Sequence, residues 1–164
     1  MQSPLSISET EMEDLPDYSR ILNLISVSQD PEKLMAFAMN AQKKNVPEIR
    51  KAALTQLDML RPTYKEGSFE HSFWTMLIAY QNLLLENNRP TKRLMKAWET
   101  AQRAGEISAL SYWVENAEQA WAFEYFQENG LVNKTAEKLV LRFPKRFEIE
   151  IREKAKGRIK GAKL

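Results

Sequence analysis

Residues 68–88 read SFEHSFWTMLIAYQNLLLENN. This is the longest apolar-rich segment in the chain, and its reading decides the fold. Ser68 is a natural N-cap, and no glycine or proline interrupts the following residues until Pro90. The segment therefore reads as one long helix, apolar enough to be a central element and yet too polar to cross a bilayer.

Helix signals recur on both sides of it. Asp17 can cap YSRILNLISV. Asp30 followed by Pro31 pairs an N-cap with proline at the first helical position, opening PEKLMAFAMNAQKKN, and Pro47 repeats the device for PEIRKAALTQLDML. The pair over 31–60 would bury Leu34, Phe37, Ala38 and Ala41 against Ile49, Ala52, Ala53, Gln56 and Leu57. Such pairs build HEAT-type and tetratricopeptide-type solenoids, but no second copy follows at a fixed period. Downstream, Pro90 starts a helix that Gly105 ends. EISALSYWVENA and EQAWAFEYFQEN follow, the second closed by Gly130. NKTAEKLVLRF runs to Pro144, and KRFEIEIREKAKGRIK frays at Gly157 and Gly161. No Val/Ile/Thr-rich alternating run appears between turns. The expectation is an all-α fold, a compact bundle of antiparallel helix pairs with about eight helices and a HEAT-like pair at 31–60. Its organisation is a flexible acidic segment 1–16, a helical domain 17–144 and a basic C-terminal helix 145–164.

The chain of 164 residues suits one core, with hydrophobic residues at 43% and charged residues at 28%, as in soluble domains. Cysteine is absent, so there is no disulfide or thiolate site, and a reducing compartment fits. The first residues lack a basic start followed by an apolar run, so a secretory signal is not expected and a cytoplasmic location is. The net charge of +2 conceals an asymmetry. Residues 1–33 carry seven acidic groups against two basic, and residues 145–164 carry eight basic against three acidic. Such ends suit an interaction tail or attraction between the two termini.

Residues 87–105, NNRPTKRLMKAWETAQRAG, carry the clearest functional pattern. At roughly 100° per residue, Arg89, Lys92, Arg93, Lys96 and Arg103 share an arc of about 100°. Leu94, Ala97, Trp98 and Ala101 lie opposite. A one-sign face binds phosphates because each cation releases condensed counterions. Arg89, Pro90 and Thr91 would also place a guanidinium, a hydroxyl and unbonded amides at a helix N-terminus, where anions bind. The competing reading is a solvated surface diluted by Glu99. In the tail, Phe147, Ile151, Ala155 and Ile159 form a stripe at i, i+4 spacing. Docking on the body or a partner is the preferred reading, with Lys145, Arg146, Arg152, Lys156 and Arg158 adding to phosphate attraction. Membrane binding is not expected, because the stripe is narrow and Glu148, Glu150 and Glu153 oppose it. Tyr112, Trp113, Trp121, Phe123, Tyr125 and Phe126 could form a base-stacking platform but read first as core.

Catalytic patterns are missing. His71 is the single histidine, and neither H-x-x-x-H nor H-x-x-E-H occurs, so no zinc site is expected. Glu70 and His71 could act together as a general base, yet no G-x-S-x-G supplies a nucleophile, and the five glycines are scattered singly. A metal nuclease would draw on Glu66, Glu70, Glu118, Glu124, Glu128 and Glu137. No catalytic residue, cofactor or metal is assigned.

From Leu77 onward the order AYQNLLLENNRPTKR, AWETAQRAG, ALSYWV, ENGL and AEKLVLRFPKRF resembles uncharacterised bacterial helical proteins. In those, an arginine- and threonine-rich segment precedes a helix and a glycine, and the chain ends near a VLR-P-F segment. The resemblance spans residues 77–147 and carries no function. It implies that Arg89, Thr91, Arg93, Arg142, Pro144 and Phe147 belong to the pattern, although Lys92 and Lys96 stand where further arginines would be expected. The reading favoured by the residues is a non-catalytic nucleic-acid-binding protein contacting DNA or RNA. The alternatives are a protein-interaction module that self-associates and a small metal-dependent nuclease or hydrolase.

Overall fold

The helix read from residues 68–88 runs as Phe69–Glu86, and a broad face of about half its circumference is buried. A computed structural model describes residues 17–116 and 120–161, and among them the elements are nine α-helices with no strand. They are α1 (Ser19–Val27), α2 (Pro31–Lys44), α3 (Pro47–Leu60), α4 (Phe69–Glu86), α5 (Lys92–Ala104), α6 (Glu106–Glu115), α7 (Ala120–Glu128), α8 (Ala136–Arg142) and α9 (Ile149–Gly161), with 3-10 turns at Val132–Lys134 and Pro144–Arg146. The acidic segment 1–16, residue Glu118 and the side chain of Trp121 lie outside what is described.

The caps explain the boundaries. Asp30 Oδ1 accepts the Glu32 and Lys33 amides at the start of α2, with Pro31 in the first turn. Ser68 Oγ accepts the His71 amide, and Thr135 Oγ1 accepts the Lys138 amide. Three helices end in one shape: a residue at positive φ is followed by an amide that reaches five carbonyls back. Asn45 (φ 55°) is followed by Val46 N–H to Ala41 O, Asn88 (φ 52°) by Arg89 N–H to Leu84 O, and Gly130 (φ 71°) by Leu131 N–H to Phe126 O.

α2 and α3 form the expected hairpin. Leu34, Ala38, Ala41, Ile49, Ala53, Gln56 and Leu57 are buried, while Phe37 and Ala52 are half-buried at its margin. α1 packs on α3, and Gln56 Nε2 donates to the Ser28 carbonyl at the end of α1. α4 joins the rest through its aromatic rings. Phe69 meets Phe143 and Phe147 edge-on, each at 5.5 Å. Trp74 meets Trp98 of α5 at 5.1 Å. Tyr80 meets Trp113 of α6 at 5.3 Å and stacks on Phe126 of α7 at 4.9 Å.

The basic C-terminal helix packs on α8 and α6. Phe147, Ile151 and Ala155 enter the common core, and Ile159 is half-buried. α9 continues through Gly157 to Gly161 where fraying was expected, since the packed stripe holds the helix on both sides of Gly157. Its anchor is polar as well as apolar. Arg158 donates to Glu137 Oε1 at 2.8 Å, and Glu137 is 1% exposed. Burial raises the Glu137 carboxyl above its ordinary value, while the Arg158 guanidinium pulls the other way and only partly offsets it.

Gly105 links α5 to α6 alone, at φ 96° and ψ 163°. That region is essentially reserved for glycine. Gly105→Ala should cost about 1–3 kcal/mol, read as a lowered urea midpoint at unchanged slope. Space is not the obstacle, because a Cβ there meets nothing within 4 Å.

Arg158→Leu should cost about 3–5 kcal/mol, because it strands the Glu137 carboxylate. The double variant Glu137→Leu/Arg158→Leu should recover most of that loss. The raised carboxyl adds stability that is fully present below its unfolded pKa and is lost as pH rises through the folded value. Glu137→Gln should flatten that part of the pH–stability profile.

Candidate nucleic-acid interface

α5 is a sharply two-sided helix. Leu94, Met95, Ala97, Trp98 and Ala101 are buried, and Lys92, Arg93, Lys96 and Arg103 are exposed together with Arg89 just ahead of them. Glu99 is the single carboxylate on the helix. The helix begins at Lys92, two residues after Pro90, because α4 does not close until Arg89. The Arg89 amide donates to the Leu84 carbonyl at 2.9 Å and is not available to an anion. Thr91 stands at the N-cap, half-buried, with no side-chain cap bond.

The expected basic residues divide into two groups. In the first, the cations are held over aromatic rings or stand in solvent. Arg89 lies over the Tyr125 ring and Lys96 over the Tyr112 ring, each 5.2 Å from the centroid. Among the described residues no carboxylate lies in salt-bridge range of Arg89, Lys92, Lys96 or Arg103. Arg89, Pro90, Lys92 and Arg93 line an open cleft of about 420 Å³. Arg89 and Arg93 lie near enough to Tyr80 to favour its ionised form, but burial outweighs them and holds the phenol neutral, its pKa raised well above the ordinary value.

The second group, in the tail, is more fully engaged. Arg158 faces Glu137 and its side chain is only 18% exposed. Arg146 pairs with Glu70 at 3.1 Å and lies over Phe69 at 5.3 Å. Lys156 pairs with Glu153 at 3.5 Å. Arg152 is half-buried with its Nε enclosed, and Lys145 is exposed. Arg142, which belongs to the resemblance over 77–147, donates to Ser72 Oγ and lies over the Phe143 ring.

Trp113, Phe123 and Phe126 are core residues, as burial preference led one to expect. Tyr112 and Tyr125 have a second role that sequence reasoning did not assign, since each carries a cation of the basic face. Lys96 and Tyr112 are sixteen residues apart on successive helices, so no local periodicity links them.

The described residues named for a metal nuclease do not gather into one site. Glu70 pairs with Arg146 and Glu137 with Arg158. Among the described residues no three His, Asp or Glu side chains gather closely enough to hold a metal ion. No helix among them is long and apolar enough to cross a membrane. No family model, curated protein or solved structure matches this chain.

Proposed function

We propose that the chain is a non-catalytic, cytoplasmic nucleic-acid-binding protein whose phosphate-contacting surface is the exposed face of α5. The observation that carries this reading is the contrast between two sets of cations. Tail guanidiniums such as Arg146 and Arg158 are matched by the protein's own carboxylates, whereas Arg89, Lys92, Lys96 and Arg103 stand on one face without carboxylate partners among the described residues. A row of unmatched cations repels itself, and a polyanion relieves that repulsion while releasing its own counterions. Phosphate contacts position a protein without reading sequence, so the surface accounts for affinity and not for base preference.

Anisotropy of labelled DNA and RNA across a salt series tests the reading. Binding should weaken log-linearly with salt. Arg89→Ala/Arg93→Ala should lower both affinity and the salt slope, the slope by about 0.7–0.9 for each phosphate that is no longer neutralised. Binding unchanged in that variant would exclude this face. Arg158→Leu should instead act through stability.

A second reading, a protein-interaction module, draws on an apolar surface elsewhere. Leu24 and Val27 of α1 and Met59 of α3 are 53%, 73% and 72% exposed. The Gln56–Ser28 bond sets the end of α1 beside the last turns of α3. If that surface joins two copies, light scattering should give a mass that rises with concentration, and Val27→Asp/Met59→Asp should abolish the rise. A constant monomer mass would end the self-association version.

A further inference from the structure

We infer that the α5 face takes single-stranded rather than duplex nucleic acid, with an unpaired base stacking on Tyr112. The inference rests on the nucleic-acid reading above and narrows it to one class of ligand.

Tyr112 is 38% exposed on α6, whereas the next two residues, Trp113 and Val114, are buried. Its ring is on the side of α6 that meets the basic face, since the Lys96 ammonium lies 5.2 Å from the ring centroid. The placement is firm, because α5 and α6 pack against each other and are joined by Gly105 alone. An aromatic ring held beside a one-sign row of cations is the combination by which proteins grip single strands: the cations track the phosphates and the ring takes a base. A duplex cannot use the ring, because its bases are already stacked on one another and present only their edges. Lys96 need only swing from an exposed ring contact to a neighbouring phosphate.

The other end of the face agrees. The cleft beside Arg89, Pro90, Lys92 and Arg93 measures about 420 Å³, within the range of sites that enclose small ligands. An unpaired base can be turned out of the strand toward it, whereas the bases of a duplex are held in the stack. Arg89 is steadied over the Tyr125 ring at that cleft, and guanidinium groups stack on unpaired bases as aromatic rings do.

The test uses the full chain and labelled oligothymidine, oligouridine and a DNA duplex of equal length, at one low salt concentration. Wild type should bind the single strands more tightly than the duplex. Tyr112→Ala should weaken single-strand binding roughly tenfold and leave duplex binding unchanged, and Tyr112→Phe should retain single-strand affinity. Equal affinity for single strand and duplex, or single-strand binding untouched by Tyr112→Ala, would overturn the stacking inference and leave the phosphate-binding reading standing. No binding of any of the three probes would overturn both. The urea midpoint of each variant serves as the folding control, and a Tyr112→Ala loss shared by the duplex would count against stacking.

Discussion

The fold depends on a single constraint, the burial of α4. Phe69, Phe73, Trp74, Met76, Leu77, Tyr80, Leu84 and Leu85 are all buried on this one helix. Each such side chain contributes about 1.5–3 kcal/mol when removed from water, so no other helix here gathers so much apolar driving force. A helix with so broad an apolar face must be covered along it, and the other elements are arranged to do so. α2 covers one side, α5 and α6 another, and α8 a third. The rings divide the work along its length: Phe69 receives the start of the tail, Trp74 receives α5, and Tyr80 receives α6 and α7.

That arrangement produces the charged surface as a consequence. Trp98 must face Trp74 for α5 to pack on α4, which fixes the rotation of α5 about its axis. The side away from Trp98 then turns outward, and Lys92, Lys96 and Arg103 stand exposed on it with Arg93 beside them. The basic face is thus set by the same contact that builds the core, and the one-residue joint at Gly105 keeps α6 packed beside it.

Local chemistry was legible in the sequence, and tertiary pairing was not. Asp30 with Pro31, Pro47, Ser68, Gly105 and Gly130 marked their boundaries because capping is decided within four residues. The buried stripe of the hairpin and that of the tail were readable for the same reason, since helical periodicity reports a face. Pro90 misled by two residues. Proline suits a helix start, but Asn88 entered the left-handed region and committed Arg89 to the end of α4. Glu137 could not have been assigned as a buried partner, because the group that pairs with it is Arg158, twenty-one residues away on the next helix. The same limit hid Tyr112 and Tyr125 among their aromatic neighbours.

The tail shows why charge counts alone misassign a surface. Residues 145–164 are the most basic segment of the chain, yet Arg158 neutralises a buried carboxylate, Arg146 closes on Glu70, and the apolar stripe between them is in the core. A buried pair of this kind adds little net stability over an apolar pair of equal volume, because desolvation offsets most of the attraction. What it adds is a directional tie between α9 and α8, made through Glu137 Oε1 alone, since Oε2 is buried without a hydrogen-bond partner. Part of the tail's charge therefore serves to hold the helix in place, whereas Arg89, Lys92, Lys96 and Arg103 gather on one face with no carboxylate in salt-bridge range among the described residues.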